Sequence, residues 1–275
     1  MNKAAFTLAD FKIPPSYISP LLISAILLGA YLSFGLLDSY ANFLTALGAA
    51  FITELVLSKL VTGKWRNLTS AYISGISVGI LIRSTLYWPY ALCAALSIAS
   101  KYVLTYRGRH LWNPSNFGIV AMLILASDSM AILSIQWGNN MWAIFIIWII
   151  GFVALAKVDR FHICFTYVSF FLLFGFIRSW LSGDPYLAEI APITGPMYQL
   201  FVLFMITDPK TTVKTRKGQY TVAFLIAFVE MIFRLNEAVY APFYALFIVG
   251  PLALVFEIWW EDRKQTRLTS AKASV

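Results

Sequence analysis

The sequence predicts an all-α, polytopic membrane protein with about ten transmembrane helices, arranged as two inverted five-helix repeats. Three observations predict this class. The 275 residues are 60% hydrophobic and only 12% charged, which is more apolar surface than a soluble domain buries. Several apolar runs reach the ~20 residues that cross a bilayer. Lys and Arg also alternate between the two sides of these runs, as the loops of a membrane protein do.

The apolar runs set the number and the direction of the predicted helices. They span residues 18–38, 41–60, 69–83, 86–104, 114–127, 140–157, 161–181, 190–207, 219–235 and 238–260. With the termini and alternate gaps assigned to one side, that side holds 18 of the 21 Lys and Arg residues, and the other holds Arg83, Arg178 and Arg234. Because short basic loops stay in the cytoplasm, we expect both termini to be cytoplasmic.

The whole chain, residues 1–275, is expected to form a single integral membrane domain. Residues 1–132 would form the first five-helix half, residues 133–260 the second half, and residues 261–275 a cytoplasmic basic tail. Because five is an odd number, the second half enters the membrane from the opposite side. Inverted repeats of this kind place a binding site near the midplane, between short or interrupted helices.

The third run of each half has the composition of such an interrupted helix. In the first half it is short and contains Gly75 and Gly79, and in the second half it contains Pro192, Gly195 and Pro196. Proline removes a backbone donor, and a broken helix within a membrane is tolerated where it is buried in protein or lines a cavity. The alternative interpretation is that these residues only kink the helices and allow close packing.

Composition argues against two other functions. The net charge of +8 does not indicate nucleic-acid binding, because the cations lie in short loops beside apolar runs, where anionic lipid headgroups account for them. Cys93 and Cys164 both lie inside apolar runs, and the sequence has no CxxC motif or Cys/His cluster. We therefore expect no metal site and interpret both cysteines as small packing residues.

The start of the fifth run is a candidate anion site. Asn113 suits a helix N-cap and Pro114 suits the first helical position, while Arg109 and His110 lie just ahead. Free amides at a helix N-terminus beside cations suit a phosphate group. An ordinary capped helix at the cytoplasmic face would have the same sequence.

The loop after the eighth run is the second candidate. It begins Thr207-Asp208-Pro209, where Asp208 can accept hydrogen bonds from the backbone amides of the following turn. The cations downstream would clamp an anion, although a positive-inside loop has the same composition.

Glu54 and Glu230 lie inside predicted membrane spans, where an ionisable group is costly and is a functional candidate by default. Arg234 is four residues after Glu230, so an ion pair on one helix face accounts for Glu230. Glu54 has no cation at helical spacing. It is either protonated or a candidate residue for a proton or cation path.

Three stretches resemble the membrane subunit shared by sodium-pumping NADH:quinone oxidoreductase and the Rnf electron-transport complex, the NqrB/RnfD family. They are Trp88–Tyr102 followed by Gly108–Gly118, Phe204–Pro209, and Ala238–Leu252. Each motif alone is weak, but together they occur in the family's order and spacing over roughly residues 65–258. The sequences around Asn113 and Thr194 are similar to those of an enediyne-biosynthesis-like (UnbU-like) branch of that family.

The resemblance implies a flavin. Members of the family attach FMN through a phosphoester to a Thr at the start of the eighth helix, within Ser-Gly-Ala-Thr. The corresponding residues here, Thr194–Tyr198, lack that Thr, since Met197 or Tyr198 stands in its place. The resemblance thus implies FMN or riboflavin held without a covalent link. The implied cofactor-binding residues are Lys101, Arg109, His110, Asn113, Thr194, Gly195, Tyr198, Thr207 and Asp208.

The implied function is that of an electron-transport subunit of the bacterial inner membrane, which positions a flavin or quinone between two inverted halves within a larger complex. Its partners would be the lipid bilayer and other membrane or redox subunits, with no nucleic acid. No residue pair suggests acid–base or nucleophilic catalysis. Two alternatives remain open: a transporter or channel that moves a small solute or cation, with Glu54 on its path, and a scaffold subunit without chemistry of its own.

Overall fold

The computed structural model describes residue 21, residues 24–25, residues 39–132 and residues 141–273. Within these residues the chain is mostly helical. Most of the first predicted span, residues 18–38, lies outside the described residues. The helices are α1 (Tyr40–Thr62), α2 (Thr69–Leu81), α3 (Trp88–Val103), α4 (Pro114–Leu125), α5 (Met141–Val158), α6 (Phe161–Ser182), α7 (Tyr186–Ile190), α8 (Pro196–Leu200), α9 (Arg216–Leu235) and α10 (Ala241–Ala273).

Short elements join these helices. Strands β1 (Ile82–Arg83) and β4 (Ala131–Ile132) pair antiparallel, as do β2 (Thr105–Tyr106) and β3 (Arg109–His110). The β2–β3 hairpin turns at Arg107 and Gly108, which both have positive φ, the conformation of the tight turn that matches the twist of a hairpin. Single 3₁₀ turns occupy Ser127–Ser129 and Ala191–Thr194, and a π-helical turn occupies Phe201–Met205.

Several of the helices are suited to a membrane. Within the described ranges, α1, α6, α9 and the Ala241–Lys264 part of α10 are long and apolar enough to cross a bilayer. A fifth span is added if the bent pair Tyr186–Thr194 and Met197–Met205 is counted as one. Helices α2 and α4 are shorter and apolar. The described helices therefore indicate a membrane-embedded protein, while the full count of ten spans stays a prediction.

Local sequence explains where three helices begin. The side chains of Ser39, Asn113 and Thr215 each accept a hydrogen bond from a backbone amide three residues ahead, at the starts of α1, α4 and α9. Such N-caps satisfy amides that have no partner inside the helix. The predicted Asn113 cap with Pro114 at the first helical position is confirmed. At its other end α1 stops at Gly63, which takes the left-handed conformation that favours glycine.

The third run of each half differs from a simple span. Helix α2 packs closely on α1: a Cβ at Gly79 would lie 2.6 Å from Cδ2 of Phe43, and one at Gly75 would lie 3.1 Å from Cβ of Ala50. The close-packing interpretation therefore describes both glycines. The other run is broken as its Pro192, Gly195 and Pro196 predict, with a bend of 66° between its two pieces. We call Tyr186–Met205 the broken segment.

The helices pack in the same order in both halves. Helix α1 packs against α2 and α3, and α3 packs against α4. Helix α6 packs against α7 and α9, and α9 packs against α10. Contacts between α4 and α10 join the two sets, and one hydrophobic core extends through both.

Helix α10 is longer than the tenth apolar run predicts. The run ends at residue 260, but the helix continues to Ala273, through most of the segment expected to be a separate basic tail. Two carboxylates of the extension contact other loops, since Arg107 pairs with Asp262 and Lys214 Nζ lies 3.5 Å from Glu261 Oε2. The extension is therefore joined to the loops that precede α4 and α9.

Candidate functional site

The first turn of α4 meets the loop after the broken segment through a side-chain hydrogen bond. Asn113 accepts from the amide of Asn116 through Oδ1 at 3.2 Å, which leaves its Nδ2 group free to reach outward. Nδ2 donates to Oδ2 of Asp208 at 3.2 Å. We call this contact and the residues around it the Asn113–Asp208 junction.

Asp208 is oriented by its own loop. Its Oδ1 accepts from the amide of Lys210 at 3.0 Å, which confirms the predicted bond to the following turn. Its Oδ2 also accepts from Oγ1 of Thr211 at 3.2 Å, and its carbonyl accepts from Oγ1 of Thr212 at 2.7 Å. The preceding Thr207 is buried and donates to the carbonyl of Leu203 at 2.7 Å, so its hydroxyl is held within the broken segment.

Arg109 ties the β2–β3 hairpin to the same loop and to α10. Its Nη1 donates to Oε2 of Glu257 at 2.8 Å, and its Nη2 donates to the carbonyl of Thr212 at 2.8 Å. Trp112 Nε1 donates to the carbonyl of Phe247 at 2.8 Å, also on α10. The guanidinium predicted to contact a cofactor is therefore engaged by a carboxylate and a carbonyl.

Two nitrogen atoms beside the junction are buried without a hydrogen-bond partner among the described residues: Nδ1 of His110 and Nη1 of Arg160. Burial lowers the pKa of His110, and the nearby charges of Lys210 and Lys101 lower it further, while Asp208 opposes the change. Burial likewise lowers the pKa of Arg160, whose charge interacts favourably with Asp208 and unfavourably with Arg109. An arginine cannot lose its proton in practice, so its unsatisfied Nη1–H calls for an acceptor.

A crevice adjoins the junction, between the residues that precede α4, the loop after the broken segment, and helices α9 and α10. Its free volume is ≈ 10 Å³, room for about one water molecule. The lining is mostly apolar, with Trp112, Leu246 and Val222, and polar groups enter from Asn113 and Thr212.

Glu54 and Lys101 form a second polar group. Nζ of Lys101 lies 2.5 Å from Oε2 of Glu54, and the hydroxyl of Tyr102 donates to Oε1 at 2.7 Å. Lys101 also donates to Oγ of Ser70 at 3.2 Å. We call these four residues the Glu54 group. The cation that the sequence did not provide at helical spacing comes from another helix.

A third polar group surrounds Glu230, which is fully buried. Its carboxylate accepts from the hydroxyls of Tyr167 and Tyr198, and from Nε of Arg234 at 2.9 Å, the ion pair that the four-residue spacing predicts. Arg234 also donates to the hydroxyl of Tyr198 and lies over the ring of Phe171. We call Tyr167, Phe171, Tyr198, Glu230 and Arg234 the Glu230 group.

The structure divides the residues predicted to bind a cofactor. Arg109, His110, Asn113 and Asp208 lie together at the junction, and Lys101 adjoins them through its electrostatic interaction with His110. Tyr198 belongs to the Glu230 group.

Thr194 and Gly195 lie in the broken segment. Thr194 is exposed, and its hydroxyl donates to the carbonyl of Ala191 at 2.7 Å. Gly195 precedes α8, and the nearby Gln199 donates through Nε2 to the carbonyl of Thr194 at 3.1 Å. Both residues therefore lie at the break between the two helical pieces and not at the Asn113–Asp208 junction.

Sequence reasoning missed two charged residues of the junction. Arg160 lies in a short basic gap that the charge pattern treated only as a topology signal. Glu257 lies inside the tenth apolar run, the same signal that singled out Glu54 and Glu230, so it could have been found. Within the described ranges, no group of three or more His, Cys, Asp or Glu side chains is placed to hold a metal ion.

Comparison of the chain with family models and with curated proteins gives no match. The resemblance to the NqrB/RnfD family is therefore a prediction from the motifs.

Proposed function

We propose that this chain is a bacterial inner-membrane electron-transport subunit of the NqrB/RnfD type, which holds the phosphate-bearing end of a flavin, without a covalent link, at the Asn113–Asp208 junction. The hydrogen bond between Asn113 and Asp208 carries the proposal. It joins two of the motifs that suggested the family, although 95 residues separate them in the sequence. Two motifs that were selected only from their amino-acid sequences therefore lie side by side in one polar site.

The contacts between loops support the proposed topology. Segments assigned to the cytoplasm by charge meet one another: Arg107 with Asp262, Arg216 with Asp159, and the Asn113–Asp208 junction. Segments assigned to the other face also meet one another. Strand β1 pairs with β4, Ser84 Oγ donates to the carbonyl of Ser129 at 2.6 Å, and Nδ2 of Asn42 donates to the carbonyl of Ser84 at 3.2 Å.

The three cations on the outer face are accommodated locally. Nε of Arg178 lies 2.6 Å from Oε2 of Glu189, and Arg234 pairs with Glu230. Nη1 of Arg83 donates to the carbonyls of Ile80 and Ile82, both at 3.1 Å. Because these three cations are paired or hydrogen-bonded, they are weaker evidence against the proposed orientation than free cations would be.

The buried polar groups support the inverted repeat. The Glu54 group joins α1, α2 and α3, which are the second, third and fourth runs of the first half. The Glu230 group joins α6, the broken segment and α9, which are the second, third and fourth runs of the second half. Equivalent helices thus meet at a buried carboxylate in each half, with Glu54 on the second run of its half and Glu230 on the fourth.

Two cations beside the junction support phosphate binding. Arg160 offers an unsatisfied buried Nη1–H, and Lys210 adds a nearby exposed cation. The adjoining crevice of ≈ 10 Å³ is too small for an isoalloxazine ring. A bound flavin would supply electron transfer, and the residues of this chain would bind and orient it.

The hydroxyl groups near the family's attachment position support a non-covalent link. The hydroxyl of Tyr198 is buried between Glu230 and Arg234. Thr194 aligns with the motif's Ser rather than with its attaching Thr, and its hydroxyl bonds the carbonyl of Ala191. Met197 has no hydroxyl group to esterify.

Purified protein tests the proposal. We expect the visible absorption of a flavin, and acid extraction should release the flavin because no phosphoester holds it. Arg160→Gln and Asn113→Ala should each lose most of the flavin, since one removes the unsatisfied donor and the other removes the bond to Asp208. Arg216→Gln is the matched control, because that arginine is exposed and pairs with Asp159.

Normal flavin content in both folded junction variants would refute this site. A colourless preparation that moves a solute across liposomes would favour the transporter alternative, with Glu54 as the residue to test on its path. A colourless and impermeable preparation would favour a scaffold. The ion pair with Lys101 accounts for the burial of Glu54 without a path.

A further inference from the structure

The connection between α1 and α2 concentrates positive charge. Residues 59–68 contain Lys59, Lys64 and Arg66 and no carboxylate, and all three cations are exposed. The chain reverses at Gly63, whose carbonyl accepts from Nζ of Lys59 at 3.3 Å. We call residues 59–68 the α1–α2 connection.

These cations differ from four others that the charge pattern assigns to the same face. Arg107, Arg109, Lys214 and Arg216 each pair with a carboxylate. In the α1–α2 connection, by contrast, no ion pair forms among the described residues. The nearest carboxylate in sequence, Glu54, is buried and bound to Lys101. The connection therefore carries three positive charges that the described protein does not neutralise.

The same connection carries apolar side chains that water would not favour. Trp65 is 66% exposed, and Leu60 and Val61 on the last turn of α1 are 75% and 60% exposed. Nζ of Lys59 lies 5.5 Å from the centre of the Trp65 ring. An exposed tryptophan beside cations at the end of an apolar helix is typical of the boundary between the hydrocarbon and the lipid headgroups.

We propose that the α1–α2 connection binds the headgroup of an anionic phospholipid. Lys59, Lys64 and Arg66 surround its phosphate, and Trp65 lies at the level of its glycerol backbone. Charge complementarity selects the lipid, because the three cations have no carboxylate of their own while the apolar surface of α1 beside them faces acyl chains. The inference rests on the membrane location of the chain and is independent of the flavin.

Nanodiscs test this site with the full chain. The protein is placed in phosphatidylcholine discs that contain a minority of phosphatidylglycerol, and native mass spectrometry counts the lipids retained. We expect selective retention of phosphatidylglycerol, and a Lys59→Gln/Lys64→Gln/Arg66→Gln variant should lose about fivefold in selectivity for each cation removed. The control Arg107→Gln/Lys214→Gln/Arg216→Gln removes the same charge from paired positions and should retain the lipid.

Equal retention by the wild type and the Lys59/Lys64/Arg66 variant would overturn the proposal. So would displacement of the bound species by inorganic phosphate at matched concentration, because that result would indicate a small-anion site. Thermal unfolding in pure phosphatidylcholine discs checks that the variant is folded. Since both leaflets of a nanodisc have the same lipids, the result is independent of orientation, and the flavin content plays no part in it.

Discussion

Single residues show how this chain keeps charge inside an apolar protein. Glu54 and Glu230 are buried, and each accepts hydrogen bonds from a tyrosine and pairs with a cation. Arg234 could be predicted as the partner of Glu230, because four residues separate them on one helix. Lys101 could not be predicted as the partner of Glu54, because the two lie 47 residues apart and only helix packing brings them together.

Removing one member of the Glu54 pair should destabilise the protein more than removing both. Lys101→Met leaves a buried carboxylate without its cation, which costs about 3–5 kcal/mol in comparable pairs. A Glu54→Gln/Lys101→Met double variant leaves no unpaired charge and should recover most of that loss. Unfolding by denaturant in detergent measures the free energies, with exposed Lys264→Met as the control. A double variant less stable than Lys101→Met alone would contradict this explanation.

His110 should make the protein less stable in mild acid. Burial and nearby cations lower the pKa of His110 below its ordinary value of 6.5, so the unfolded chain binds the proton more tightly than the folded one. The free energy of unfolding should therefore fall as the pH drops through and below that ordinary value. Melting temperatures of wild type and His110→Asn between about pH 7.5 and 5.5 test this. The variant should show a smaller decrease, and identical pH dependence would disprove the role of His110.

Helices are the scale at which sequence and structure agree best. The apolar run 41–60 becomes α1 at Tyr40–Thr62, and the run 161–181 becomes α6 at Phe161–Ser182. The break at Pro192 and Gly195 could also be predicted, because both residues act on the local backbone. The extension of α10 could not, since its ion pairs come from loops that are distant in sequence.

Glycine at position 118 should be essential for packing between α3 and α4. A Cβ there would clash with Oγ of Ser97 and lie 2.5 Å from the carbonyl oxygen of Cys93, which belongs to the backbone. Gly118→Ala should therefore lower the free energy of unfolding by about 1–3 kcal/mol. Gly48→Ala is the matched control, because nothing lies within 4 Å of its Cβ. It should be neutral or slightly stabilising, as alanine favours a helix. Equal stability of the two variants in the same unfolding assay would contradict this, because it would show that α3 and α4 move apart for the added Cβ without a loss in the free energy of unfolding.

The whole molecule combines predicted helices with contacts that a sequence does not display. The alternation of Lys and Arg predicts a face for each loop, and several segments predicted to share a face meet in the structure. The division of the cofactor candidates between the Asn113–Asp208 junction and the Glu230 group was not predictable. Asn113 and Tyr198 are both polar residues at the starts of short helices, and only tertiary packing separates their partners.

Cysteine accessibility across the membrane is the most direct test of the topology predicted for the second half of the chain. In a background with Cys93 and Cys164 replaced by alanine, single cysteines are placed at the exposed positions Lys217, Lys264, Asp184 and Asn236. In intact cells an impermeant thiol reagent should label Asp184→Cys and Asn236→Cys. It should label Lys217→Cys and Lys264→Cys only after the membrane is opened. Labelling of Lys217→Cys in intact cells, or labelling of Asp184→Cys only in opened cells, would contradict the proposed arrangement.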